Sequence, residues 1–174
     1  PSYSHNGERI AVKYASSAVL DLIMHVAADG SKDEQVMFPC QFGFCEDLSM
    51  SSQAWSSQGT AILFSYAVPG EPSHIEFVDL ASGNHGLWLG GGGGVRHAAI
   101  SSDDWVAFTA SPSGNADIWI SKLDGTDRRQ LTSSPSADIE PTWSGDGSRI
   151  AFASNRDGYW AIYVMAKDGG VPVR

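Results

Sequence analysis

The chain has 174 residues, 42 % of them hydrophobic and only 18 % charged, which is enough apolar material for a folded core of ordinary size. Its formal charge is −9, from 20 acidic residues against 11 Lys and Arg, and neutralising nucleic-acid phosphates needs clustered cations that this balance does not supply. No apolar run approaches the roughly 20 residues that span a bilayer, so neither nucleic-acid binding nor membrane insertion is expected.

A stretch near the C-terminal end occurs twice. Val106-Ala-Phe108 returns as Ile150-Ala-Phe152, Ile118-Trp-Ile120 as Ile162-Tyr-Val164, and Asp124-Gly125 as Asp168-Gly169, each 44 positions on. Weaker copies lie upstream at Ile62-Leu-Phe64 and Ile10-Ala-Val12. A fixed period in the forties marks a propeller or a helical array. The units lack a 3.6-residue period and are rich in Val, Ile, Trp, Tyr and Phe, which favours an all-β propeller of four-stranded antiparallel blades.

Taken in chain order, four blades are expected, at residues 1–38, 53–89, 97–132 and 141–174, forming one domain. The chain opens at Pro1 without Met or a signal-peptide pattern, which suits a mature, trimmed or partial chain. Blade one starts Pro1-Ser-Tyr-Ser-His-Asn-Gly-Glu-Arg-Ile-Ala-Val, matching Pro141 onward. Residues 39–52 are an inserted rim loop holding Cys40 and Cys45, and rim insertions of repeat folds often carry binding. Four residues and a Gly between the two cysteines permit a disulfide in an oxidising compartment; two reduced thiols fit equally well. Blade two runs from Ala54-Trp55, and the glycines Gly90 to Gly94 mark the crossover into blade three.

Blade four is the clearest. Its first strand enters at Pro141 and ends at the Gly145-Asp-Gly147 turn, where Gly and Asp accept positive φ. Arg149 to Ser154 forms the second strand, Ala161 to Met165 the third, and Val171 to Arg174 the fourth. In the second strand Ile150 and Phe152 alternate with Ala151 and Ala153, so neither face is polar; that pattern suits a sheet stacked on both sides.

The segment Asp138-Ile-Glu-Pro-Thr-Trp-Ser-Gly-Asp-Gly-Ser-Arg-Ile-Ala-Phe-Ala-Ser-Asn-Arg-Asp-Gly, with Ile162-Tyr-Val-Met165 after it, resembles the repeat of TolB-type β-propellers. Asp124-Gly-Thr-Asp-Arg-Arg-Gln-Leu-Thr132 resembles the outer strand and exit of the same repeat. The resemblance is strongest over residues 100 to 174. It implies four-stranded blades around a channel, a protein-interaction role and a periplasmic or secreted location in a bacterium. Similar blades also serve carbohydrate-processing proteins and gate prolyl-oligopeptidase-type peptidases. TolB-type propellers usually carry about six blades and a further α/β domain, against four blades here, and Leu131-Thr132 has no counterpart after Arg174. The expectation is therefore a self-closed ring, a partial ring, or half of a ring completed by a homodimer.

No Gly-x-Ser-x-Gly elbow occurs, the glycine run lacks the Lys-Ser/Thr of a phosphate loop, and the five histidines are scattered, so no catalytic residue is assigned. No cofactor or metal is expected, because the Asp-Gly pairs are explained as turns and no Cys/His set surrounds Cys40 and Cys45. The binding candidates are acids placed where strands meet the channel: Glu46 and Asp47, Asp103 and Asp104, Asp138 and Glu140. Gathered on one rim they would steer a basic protein partner.

Overall fold

The computed structural model describes residues 2–14, 22–27, 29, 33–37, 49–67, 70 and 72–174. Cys40, Cys45, Glu46 and Asp47 lie outside these residues. The described strands form four antiparallel sheets of four, each built from consecutive strands. Blade one holds β1 (Ser2–Tyr3), β2 (Arg9–Tyr14), β3 (Leu22–Ala27) and β4 (Asp33–Met37). Blade two holds β5 (Ser49–Trp55), β6 (Ala61–Ala67), β7 (His74–Asp79) and β8 (His85–Leu89). Blade three holds β9 (Arg96–Ile100), β10 (Trp105–Ala110), β11 (Asp117–Lys122) and β12 (Arg129–Gln130). Blade four holds β13 (Asp138–Trp143), β14 (Arg149–Ser154), β15 (Ala161–Ala166) and β16 (Gly169–Val173). No helix among the described residues is long and apolar enough to cross a membrane.

The first strands of neighbouring blades touch one another, β1 with β5, β5 with β9 and β9 with β13, so they form the inner layer around the axis. The stacking expected from the two-faced apolar strand is seen most completely in β10. Val106 and Phe108 are fully buried against Leu63 and Ile75 of blade two, while Ala107 is fully buried with Ile150 and Phe152 of blade four. Blades one and two share a third cluster, in which Ala11 meets Trp55, Ile62 and Phe64. The core is thus three layers between sheets, supplied by the alternation of side chains along each second and third strand.

Two inner strands start earlier than expected. β13 begins at Asp138, three residues before Pro141, and β5 begins at Ser49, inside the expected 39–52 insertion. Both carry a register shift, between Ile139 and Thr142 in β13 and between Met50 and Gln53 in β5. A bulge inserts a residue and breaks the two-residue alternation, so the pattern is readable only beyond it. Pro141 is tolerated inside β13 for the same reason: it sits at the irregularity on an edge strand, where its missing N–H interrupts no ladder.

Indole groups tie blades together. Trp143 Nε1 donates to Ala99 O (3.0 Å) and Trp55 Nε1 donates to Ser2 O (3.1 Å), each reaching the inner strand of the preceding blade. The glycine crossover is packed. Gly93 O accepts from Ser111 N, and a Cβ on Gly93 would come within 2.9 Å of Pro112 Cα.

Candidate functional site

Each inner strand leads into its second strand through the same serine turn. Ser4, Ser56, Ser101 and Ser144 accept on Oγ from the N–H of Arg9, Ala61, Trp105 and Arg149, and their own N–H donates back to the carbonyl of that residue. Three residues after the serine, the chain turns through positive φ at Gly7 (72°), Gly59 (65°) and Gly147 (68°). In blade three this place is taken by Asp104, at φ 59°, and its turn is one residue shorter. A non-glycine residue there costs of order 1–3 kcal/mol, least for Asp and Asn, and needs a compensating contact. The contact is in blade two, where Asp104 accepts from Ser57 N (2.8 Å) and Ser57 Oγ (2.8 Å).

Asp103, beside it, accepts from Ser101 Oγ (2.6 Å) and pairs with Lys167 of blade four. Partial burial pushes its carboxyl upward, but the Lys167 and Ser101 hydrogen bonds outweigh this and hold it below the usual range. The same rim carries cations around the Trp105 ring: Lys167 Nζ at 4.9 Å, Arg129 at 5.1 Å and Lys122 Nζ at 5.9 Å from its centroid. Lys122 pairs with Asp127 and Arg129 with Asp168. The three cations around Trp105 are therefore each matched by a carboxylate.

Asp138 and Glu140 stand on the opposite rim. Asp138 N donates to Ala116 O and Glu140 N to Thr109 Oγ1, both at the far end of the β10–β11 hairpin from Asp103 and Asp104. The structure thus separates the four described acid candidates into two pairs and does not assemble them on one acidic rim. Asp138 is fully buried and takes two hydrogen bonds from Arg156 Nη2, at 2.9 and 3.0 Å, which is a structural ion pair. Glu140 is the exposed acid of the second pair, held at φ 56° in the bulge of β13.

His97 occupies the corresponding bulge of β9, also at φ 56°. Burial is the main force holding its imidazole below its ordinary pKa; the Glu140 carboxylate opposes this and Arg96 adds to it. His97 Nδ1 is buried without a hydrogen-bond partner. Two neighbouring inner strands therefore present left-handed, non-glycine residues at equivalent places of the inner layer, one basic in type and one acidic. Among the described residues no group of three His, Cys, Asp or Glu is arranged to hold a metal ion.

The sequence alone gave no role to Asp117 or Arg156 and left His97 among five scattered histidines without assigning it one. The available signal was departure from the repeat: Asp117 stands where blade four has Ala161, His97 where it has Glu140, and Asp104 where it has Gly147.

The family model described as the TolB beta propeller domain matches residues 40–174. A "Protein TolB homolog" of Chlorobium luteolum is 31 % identical over 120 residues, covering 63 % of this chain and 28 % of the relative. A "Tol-Pal system protein TolB" of Anaeromyxobacter dehalogenans is 40 % identical over 96 residues, 54 % of this chain and 21 % of the relative. A solved structure from Agrobacterium tumefaciens, provisionally assigned as TolB, superposes with a TM-score of 0.80 at 20 % identity, covering 98 % of this chain and 62 % of that one. The chain spans under two thirds of the length of each of these proteins.

Proposed function

This chain belongs to the TolB β-propeller family, and we propose that it is a non-enzymatic module binding a protein partner through one rim and the channel mouth. The observation that supports this reading is the pairing of His97 and Glu140 in strained backbone at equivalent places of adjacent inner strands. Strain held in the same place by two blades is a feature that binding rims commonly exploit. Glu140 is exposed and the chain is acidic overall, so the partner proposed is basic at the contact. By analogy with the relative named for the Tol-Pal system, a periplasmic site of action is part of the proposal.

The test is calorimetric titration of the chain with purified components of a Tol-Pal system. One component should bind, more weakly at high salt, and Glu140→Lys should abolish the interaction. Binding indifferent to this substitution, or no binding at all, overturns the rim assignment.

Self-association is a companion proposal. Ile162 in β15 is 62 % exposed, whereas Ile118, its equivalent in β11, is fully buried beneath blade four. Blade four thus presents a face of the kind that seats another blade, and a solution mass near twice 18.5 kDa would support a homodimer. A monomer at every concentration would exclude it.

A carbohydrate-binding role is favoured by one observation, the exposure of Trp160 (54 %) beside Tyr159 (50 %). Glycan binding lost in Trp160→Ala would support that alternative; no glycan binding would dismiss it.

A further inference from the structure

We propose that Asp117, Asp138 and Arg156 form a proton-responsive joint between blades three and four, which tightens when Asp117 takes up a proton. The two carboxylates begin neighbouring elements, Asp117 at the start of β11 and Asp138 at the start of β13. Asp117 is 4 % exposed and Asp138 0 %. The single cation of the cluster, Arg156, spends its Nη2 on both oxygens of Asp138. It is further fixed over the rings of Tyr163 (4.7 Å) and Phe152 (5.6 Å).

Among the described residues the donors to Asp117 are all neutral: Gln130 Nε2 at 3.1 Å, Thr132 Oγ1 at 3.3 Å and Asn115 Nδ2 at 3.5 Å. Two buried carboxylates and one guanidinium leave one negative charge uncompensated inside the junction. The β10–β11 turn contributes neutral Asn115, the β12 exit neutral Gln130 and Thr132, β13 the anion Asp138, and the segment after β14 the cation Arg156.

The asymmetry decides which carboxyl responds. Arg156 donates to both oxygens of Asp138 and to neither of Asp117, so the proton goes to Asp117. Burial, with the Asp138 charge adding to it against the three hydrogen bonds, pushes the Asp117 carboxyl above the ordinary 3.8. In the interval above 3.8 the folded state binds more protons than the unfolded chain. Stability is therefore fully present below 3.8 and is lost as pH rises through the folded value. Two backbone amides lie within the same cluster and report on the junction, Asp138 N donating to Ala116 O and Ile118 N to Thr132 Oγ1.

The experiment follows the Asp117 carboxyl carbon by NMR in the full chain between pH 7 and pH 3, together with hydrogen exchange of the Asp138 amide. Asp117 should titrate above 3.8, and protection of the Asp138 amide, corrected for intrinsic exchange, should rise about tenfold per unit of upward displacement. In Asp117→Asn this pH-dependent gain should vanish while the protein remains folded. Titration of Asp117 at or below 3.8, or protection unchanged across its titration, overturns the proposal. If Asp117→Asn does not fold, the wild-type titration and exchange data alone decide it.

Discussion

Asp104 stands in the place where blades one, two and four have a glycine, and its carboxylate clasps both the N–H and the hydroxyl of Ser57 on the neighbouring blade. Blade three is also the blade whose inner strand ends in Ile100, where blades two and four end in the bridging Trp55 and Trp143. The carboxylate clasp thus does on the rim what the indole bridge does inside the other two junctions.

Asp104→Ala should destabilise by about 1–3 kcal/mol, because the left-handed backbone remains while both hydrogen bonds disappear. Asp104→Gly should cost less, since glycine takes φ 59° without strain. Urea unfolding of the two variants checks the order. A double-mutant cycle with Ser57→Ala should show coupling of about 1 kcal/mol.

Arg156→Ala should be among the most damaging changes in blade four, at about 3–5 kcal/mol, because it strands the fully buried Asp138 carboxylate. Arg156→Met, with Asp138→Asn beside it, should recover a large part of that loss. Thermal unfolding of the single and double variants distinguishes an unpaired charge from simple loss of packing over Tyr163.

Phe108→Ala should cost about 3–5 kcal/mol. The side chain is fully buried between blades two and three and meets Trp88 edge-on, with ring centroids 5.8 Å apart. Loss of the near-ultraviolet signal of Trp88 ahead of that of Trp143 would show that the blade-two junction opens first.

Acid should loosen the serine turn of blade four at very low pH. Hydrogen bonds from Ser144, the Ser148 amide and the Ser148 hydroxyl hold Asp146 down at about 2. A lowered folded value gives stability that is present above 3.8 and lost as pH falls through about 2. Asp146→Ala should therefore be less stable than wild type at pH 7, and the difference should vanish below pH 2. Chemical denaturation at both extremes measures it.

Much of the fold is legible in particular residues. The 44-residue recurrence of Ile-Ala-Phe and Ile-Tyr-Val identifies the second and third strands, and β14 runs from Arg149 to Ser154 as expected. The inner strands are less legible, because the bulges at His97 and Glu140 shift the alternation by one residue and hide the segment before them. The rim allocation of the acids was also hidden. Asp103 and Asp138 look alike as residues near strand ends, yet one lies after an inner strand and the other begins one.

The sequence by itself determined the strand-rich repeat and the four-blade count, since both rest on local alternation and on residues compared with their own copies 44 places away, and the segment from Asp138 to Gly158 carried the resemblance to the family. Only the tertiary structure decided which polar and charged groups meet. Asp104 with Ser57, Lys167 with Asp103 and Asp117 beside Asp138 join residues from different blades. Such pairings depend on how sheets stack and on which rim each hairpin reaches. Local propensity carries no record of either.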